Sequence, residues 1–487
     1  MTFSTEPIDT SRKSVSRGAL YVGVAQAWRM GLSFVSAIVF ARLLLPSDFG
    51  LVAMVAPVVA FAALIQDLGL SQATVQRETV TQQLLGALFW LNVCAGAVLS
   101  LALIALAPAL AAFYDQPQVI TLATAFSAVI FLTSLQNQHL AIMTRRMEFL
   151  RISVIEATAA SLGFIAGLIV AFIYASYWAL LAASLVTALS STIMFWTLSG
   201  WRPGHSSFGG AFKEIAGFSS GLTGHALFTY LARNLDDVLI GRYHGAEALG
   251  FYDRAYKLLL LPLNQISTPL GRVMIPLMSR LRSERDRYVS VYLEASTYLM
   301  IVTQPTIVIL IVFADEVFLV LLGERWVVAA PIFQVLGICG LQQVFTNTFF
   351  WLFVSQGRAK ELFQLSVLRA IIACGAFVIG LPWGALGVAT AYAISDIFLR
   401  MPMQVMVLTR NGPLSLRVLT GSLLPHLAAT IATAAAALAV AHMVTLTAWI
   451  FILTVVLCNL VYLGCLALFP NKRTILYNAV RRVLVKG

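Results

Sequence analysis

Charge is scarce in this 487-residue chain. Only 11% of its residues are Asp, Glu, Lys or Arg, where a soluble domain carries about 25%. That shortage excludes an ordinary water-soluble protein, because 60% of the residues are hydrophobic and the mean hydropathy is +0.87. Cysteine is sparse as well. Cys94, Cys339, Cys374, Cys458 and Cys465 all lie inside apolar segments without paired or metal-ligand spacing, so they read as small core residues. The six histidines show no metal spacing either, and no metal site or cofactor is expected. A Walker-type phosphate loop is missing, so the chain does not hydrolyse nucleotides itself. Short alternating segments, the mark of a membrane barrel, are also missing. The formal charge of +11 invites a nucleic-acid reading, but the basic residues are spread over short loops and report topology instead.

What the chain has in quantity is long apolar runs. Stretches of about 20 residues recur throughout, enough to cross about 30 Å of hydrocarbon as helices. The expected fold is an all-α polytopic membrane protein with about fourteen helices, near 19–43, 49–69, 84–112, 118–141, 152–174, 177–199, 213–241, 249–280, 289–313, 328–354, 361–381, 384–409, 417–443 and 446–469. The first run is too long for a signal-peptide core and has no clear cleavage site, so it reads as a membrane helix behind a polar tail. With these spans, 22 basic loop and tail residues fall on one side, and only Arg42, Arg242 and Arg325 on the other. The positive-inside rule then puts both termini in the cytoplasm.

The halves repeat weakly. Phe40 to Leu51, FARLLLPSDFGL, resembles Ile240 to Phe251, IGRYHGAEALGF, and in each an arginine is followed eight positions later by glycine: Arg42 to Gly50, Arg242 to Gly250. Leu135-Gln136-Asn137 likewise matches Leu341-Gln342-Gln343 at a similar offset. Both six-helix blocks enter the bilayer from the same side, so an axis along the membrane normal should relate them, with a cleft between the bundles. The expected parts are a tail (1–18), an N-terminal lobe (19–200), a cytoplasmic linker (201–212), a C-terminal lobe (213–410), two added helices (411–470) and a basic tail (471–487).

Charges at membrane depth need protein or water around them. The densest set runs from Arg233 to Lys257. Arg233, Asp236 and Asp237 share one helix face. They line a hydrated cavity, or Arg233 and Asp237 neutralise each other. Arg254 and Lys257 lie about a turn apart and need an anion or a neighbouring acid such as Asp253. Arg272 continues that line or snorkels to the surface. Arg29 has no nearby acid on its own helix; it faces an anionic ligand in a cavity, or pairs with Asp67, Asp236 or Asp237 across helices. Asp396 and Arg400 form an i,i+4 pair of structural type, Arg369 is ambiguous, and Gln136, Asn137, Gln342 and Gln343 line a cavity or, the favoured reading, make helix contacts. His225 reads as a packed neutral residue rather than one titrating with an ion gradient. Gly217 to Gly221, GFSSG, fits a nucleophile elbow in letters but opens a membrane helix, which excludes a hydrolase.

At three places the chain resembles polysaccharide exporters of the Wzx type, within the multidrug/oligosaccharidyl-lipid/polysaccharide exporter superfamily. They are ARLLLPSDFGLVAM with QDLGLSQATVQR (Gln66 to Arg77), LGFYDRAYKLLLLP (Leu249 to Pro262) and LLGERWVVAAPIFQVL (Leu321 to Leu336). The resemblance implies a flippase that moves undecaprenyl-pyrophosphate-linked oligosaccharide across the bacterial inner membrane, not an enzyme. Arg29, Arg233, Arg254, Lys257 and Arg272 would hold the pyrophosphate. Asp236, Asp237 and Asp67 would balance charge or couple to a cation gradient. It also implies a monomer in the lipid bilayer, with a polysaccharide polymerase and a chain-length regulator as partners and no nucleic acid. Three alternatives stay open: a lipid II exporter, a multidrug exporter and a polytopic glycosyltransferase or ligase. The arginine–aspartate neighbours of lipid II flippases are not matched at Arg29-Met30, and a net basic cleft suits cationic drugs poorly.

Overall fold

The computed structural model of the protein describes residues 12–67, 71, 74–75, 80–204, 220–443 and 448–477. Among them the regular structure is helical and no strand forms, as a chain that must satisfy its backbone inside lipid requires. Eleven stretches of the described residues are long and apolar enough to cross a membrane. One of these, Ala359–Arg410, is 52 residues long and breaks at the short 3-10 turn Leu381–Trp383. Separately, the polar helix Ser220–Arg280 runs 61 residues and turns at Gly245. Dividing both long stretches at their breaks gives fourteen helical segments among the described residues, of which the two arms of Ser220–Arg280 are not among the apolar spans; the start of the expected seventh helix, 213–219, lies outside the described residues.

The chain forms two compact units, Met1–Gly250 and Phe251–Gly487. The first contains α1 (Arg12–Leu43), α2 (Pro46–Asp67), α3 (Gln82–Tyr114), α4 (Gln118–Arg145), α5 (Phe149–Tyr174), α6 (Trp178–Leu198) and the opening arm of α7 (Ser220–Arg280). Helix α5 packs along α6 through small residues: a Cβ on Gly163 would overlap Thr187, and one on Gly167 would overlap Phe40 and Ala183. The chain reverses between them at Ala175, whose φ of 45° is unusual outside glycine. Asp48 ties this reversal to the α1–α2 turn. Its carboxylate accepts from Leu45 N at 2.9 Å and from Tyr177 N at 3.0 Å, so one acid in the SDFG segment holds two helix hairpins together.

The repeated motifs meet within this unit. A Cβ on Gly50 would overlap the carbonyl oxygen of Ala246, and a Cβ on Gly250 would overlap that of Pro46. Each copy thus presents its glycine to the turn of the other, which is why glycine stands eight residues after the arginine in both. The turn at Gly245 has φ 80°, favourable only for glycine, and lies where Leu44 and Leu45 lie in the first copy. The second matched motif behaves in parallel fashion. Gln136 on α4 accepts from Ser191 of α6 at 2.7 Å. In the other unit, Gln342 donates to the Asp396 carbonyl at 3.3 Å, and Gln343 to the Tyr392 hydroxyl at 3.4 Å.

The second unit is built on the closing arm of α7 and on α8 (Arg285–Val312), α9 (Ala314–Leu321), α10 (Ala330–Thr346), α11 (Phe349–Ser355), α12 (Ala359–Gly380), α13 (Gly384–Ser395), α14 (Met401–Arg410), α15 (Leu416–Met443) and α16 (Ala448–Ala467). The arm of α7 continues as helix past Pro262, Pro269 and Pro276. Helix α8 is the axis: α10, α15 and α16 all pack on it, the last two through a core of Ile309, Phe313, Ala437 and Cys458.

After α16 the chain is helical again over 470–477 and docks there through a lysine. Lys472 is 3% exposed, and its Nζ donates to Thr297 Oγ1 on α8 at 2.8 Å and to Ser422 Oγ on α15 at 2.9 Å. Burial without a carboxylate lowers its pKa to about 8. An undocked lysine keeps a value near 10.4. Between these two values the undocked state binds more protons, so docking strengthens as pH rises; below the lower one the penalty of burying the charge is fully present. A nitroxide at Tyr477→Cys, in a background without the native cysteines, should therefore lose mobility as pH rises from about 8 to about 10. Constant or rising mobility would contradict this account.

Candidate functional site

The motif YDRAYK on α7 places Asp253 and Lys257 one helical turn apart with Arg254 beside the acid. The structure brings the three together. Lys257 Nζ lies 2.7 Å from Asp253 Oδ1, while Arg254 directs Nε and Nη2 to Oδ2 at 3.2 and 3.1 Å. The side chain of Asp253 is 7% exposed, that of Arg254 16% and that of Lys257 56%. One buried carboxylate therefore orients two cations, and the group keeps a net positive charge. Tyr252 and Tyr256 stack next to it at 6.3 Å, holding the register of this turn. Lys257 spends one of its three donor positions on Asp253 and turns toward accessible space, which equips it to take an anionic oxygen. Of the two resolutions open for Arg254 and Lys257, the neighbouring acid is the one observed.

Within the first unit, Asp236 is buried and Asp237 is half-buried, the latter within electrostatic reach of Tyr114 and Tyr230. Tyr230 donates its hydroxyl to the carbonyl of Pro57 and packs on Phe61 at 5.9 Å, which fixes the arm of α7 against α2. The side chains of Arg233, Asp67, Arg272 and His225 lie outside the described residues.

For Arg29 the sequence offered three aspartates as partners. The structure corrects this: Arg29 pairs with Glu156 of α5, and the side chains are 38% and 34% exposed. Trp28 donates to Ser161 at 3.1 Å on the same pair of helices. Glu156 was missed because 127 residues separate it from Arg29. The available signal was that it is the one acid in the apolar run 149–174.

A second buried acid of the second unit gathers two arginines. Arg400 Nη2 lies 3.0 Å and Arg369 Nη2 3.7 Å from Asp396 Oδ1, with Asp396 and Arg400 almost fully buried. Arg400 also stacks 4.0 Å from the Tyr392 ring, and Tyr392 stacks on Phe377 at 5.4 Å. The i,i+4 pair is present, and Arg369 joins it from α12. Each partner is tied to a packed ring or a neighbouring helix, which makes this a helix-locking cluster. Among the described residues no group of three or more His, Cys, Asp or Glu could hold a metal ion.

A family model described as polysaccharide biosynthesis protein matches residues 39–331. The chain is similar to the teichuronic acid biosynthesis protein TuaB of Bacillus subtilis, 27% identical over 307 residues, covering 62% of this chain and 63% of that relative. It thus spans a little under two thirds of that protein's length. The lipopolysaccharide biosynthesis protein WzxC of Escherichia coli is 25% identical over 390 residues, 79% of each chain. The succinoglycan biosynthesis transport protein ExoT of Rhizobium meliloti is 26% identical over 381 residues, 77% of this chain and 76% of its own. Among solved structures, the lipid II flippase MurJ in an inward closed conformation superimposes with a TM-score of 0.73 at 14% identity, covering 93% of this chain and 100% of that one. An inward-facing multidrug transporter of the MATE family gives 0.58 at 14% identity, with coverages of 78% and 94%. At these identities the solved structures speak for the fold alone, that of a multi-pass all-α membrane protein.

Proposed function

Because the chain belongs to the polysaccharide biosynthesis protein family, we propose that it is a flippase for lipid-linked oligosaccharide. In this reading it carries undecaprenyl-pyrophosphate-linked repeat units from the cytoplasmic to the periplasmic leaflet by alternating access, and it is not an enzyme. Relatives named for teichuronic acid, lipopolysaccharide and succinoglycan biosynthesis support the substrate class. The observation that carries the reading is the Asp253 cluster, a net positive group with a half-exposed lysine on a membrane helix. A pyrophosphate needs such a group, since cations in a medium of low polarity attract it far more strongly than they do in water. Arg254 and Lys257 are the pyrophosphate ligands in this scheme, with Arg29, Arg233 and Arg272 as further cations along the route. Asp236, Asp237 and Asp67 balance charge or couple transport to a cation gradient. The protein acts in the bacterial inner membrane as a monomer with both termini cytoplasmic, next to a polymerase and a chain-length regulator.

The test is Lys257→Ala in the producing strain. Lys257 is more than half exposed, so the folded protein should accumulate normally while surface polysaccharide falls at least ~tenfold, as expected when one charge-assisted contact worth ~1.4 kcal/mol or more is removed. Wild-type output at wild-type protein level would end the assignment.

A further inference from the structure

Away from these charges, one end of the second unit holds a basic pocket. Helix α7 ends at Arg280, α8 begins at Arg285, α12 begins at Ala359 and α14 ends at Arg410. The loops at these ends enclose a hollow of about 360 Å³ lined by Arg282, Arg285, Arg358 and a single acid, Glu361. The arginines differ in how they are used. Arg358 is committed: it bonds both carboxylate oxygens of Glu361 at 2.9 and 2.6 Å and the carbonyls of Leu408 and Val407 at 3.1 and 2.8 Å. That network neutralises Glu361 and builds the pocket wall. Arg285 gives two donors to the Pro413 carbonyl at 3.2 and 3.1 Å and has no carboxylate partner among the described residues. Arg282 is exposed, and no hydrogen bond or ion pair engages it among the described residues. Two guanidinium charges thus face one hollow without an acid to offset them, beside the hydroxyl of Tyr288.

The position and the neighbourhood indicate the ligand. The pocket lies where membrane helices start and stop, hence at the depth of lipid headgroups, on the face that the basic loops assign to the cytoplasm. A second hollow of about 630 Å³ adjoins it, shares Arg285 and Pro413, and has a mixed lining: Val289, Leu293, Val418 and Ile475 offer apolar surface, and Asp286 and Glu294 are its two acids. A basic recess beside a hollow with one apolar wall suits an amphiphile with a phosphate head. We propose that Arg282 and Arg285 form a phosphate-binding site occupied by the headgroup of an anionic phospholipid, with part of its glycerol and acyl portion along the second hollow. Guanidinium forks match phosphate oxygens in pairs, and basic recesses between membrane helices on the cytoplasmic side are suited to such lipids.

The full chain, purified in detergent, tests this by titration with a short-chain phosphatidylglycerol, the phosphatidylcholine of equal chain length, and inorganic phosphate. Wild type should bind phosphatidylglycerol saturably and phosphatidylcholine at least ~tenfold more weakly, and Arg282→Glu should raise the half-saturating phosphatidylglycerol concentration at least ~tenfold. Arg282 holds no other part of the chain, so this variant should fold; Arg287→Ala, a change at an exposed arginine paired with Glu284, is the control that should bind as wild type does. If inorganic phosphate binds as tightly as phosphatidylglycerol and Arg282→Glu abolishes both, the site stands with a free anion as its ligand. Equal binding of the two lipids, phosphatidylglycerol binding unchanged in Arg282→Glu, or no binding of either phosphate source to wild type would overturn the proposal.

Discussion

Gly250→Ala and Gly50→Ala should each deplete the folded protein, although each adds only a methyl group. At both positions the new carbon would fall on a backbone carbonyl, of Pro46 and of Ala246 respectively, and backbone cannot swing aside as a side chain can. Relief requires the two hairpins to separate, which also loosens the contact at the other glycine. Overpacking of this kind costs about 3 kcal/mol or more. Size-exclusion profiles of detergent extracts should show a loss of the monodisperse peak for either variant. Gly31→Ala and Gly23→Ala, where nothing lies within 4 Å, should keep it. Normal profiles for Gly50→Ala would mean that the two turns are not held backbone to backbone.

The second large effect is expected at Asp253. Asp253→Asn removes the one acid shared by Arg254 and Lys257 and leaves two like charges a turn apart on one helix. Removing one partner of a buried ion group costs about 3–5 kcal/mol. Here the figure should fall at the low end, because Lys257 reaches solvent. Export should fall by more than in Lys257→Ala, since both cations lose their orientation. The double variant Asp253→Asn/Lys257→Met separates the two consequences: thermal stability should return most of the way, while surface polysaccharide stays low. Recovery of export along with stability would reduce the cluster to a structural tie.

Much of the fold was legible because lipid imposes a simple rule: a span must be long, apolar and helical. The repeat was legible through Gly50 and Gly250, where a close backbone contact leaves glycine as the residue that fits. The Asp253 cluster could be read because its members lie within one turn. Partners from distant segments could not. Glu156 meets Arg29, and Arg369 meets Asp396, through tertiary packing that no local spacing encodes. The docking of Lys472 was hidden for a related reason: its partners are two hydroxyls, and Thr297 and Ser422 look like any other helix threonine and serine until the tail lies on them.

The stretch Asp396–Arg400 is a π turn, between α13 and α14, and it decides which way the rest of that span faces. Asp396, Arg400, Gln404 and Leu408 are all buried, at a constant stride of four. On an uninterrupted α-helix each such stride drifts about 40°, so three strides would carry Leu408 about 120° round toward the acyl chains. The residue added by the wide turn takes up about 100° of that drift. A helical wheel drawn straight through 385–410 therefore puts the wrong residues against lipid beyond Arg400, and losing one residue from the turn would rotate the polar stripe outward without altering the hydropathy of the span.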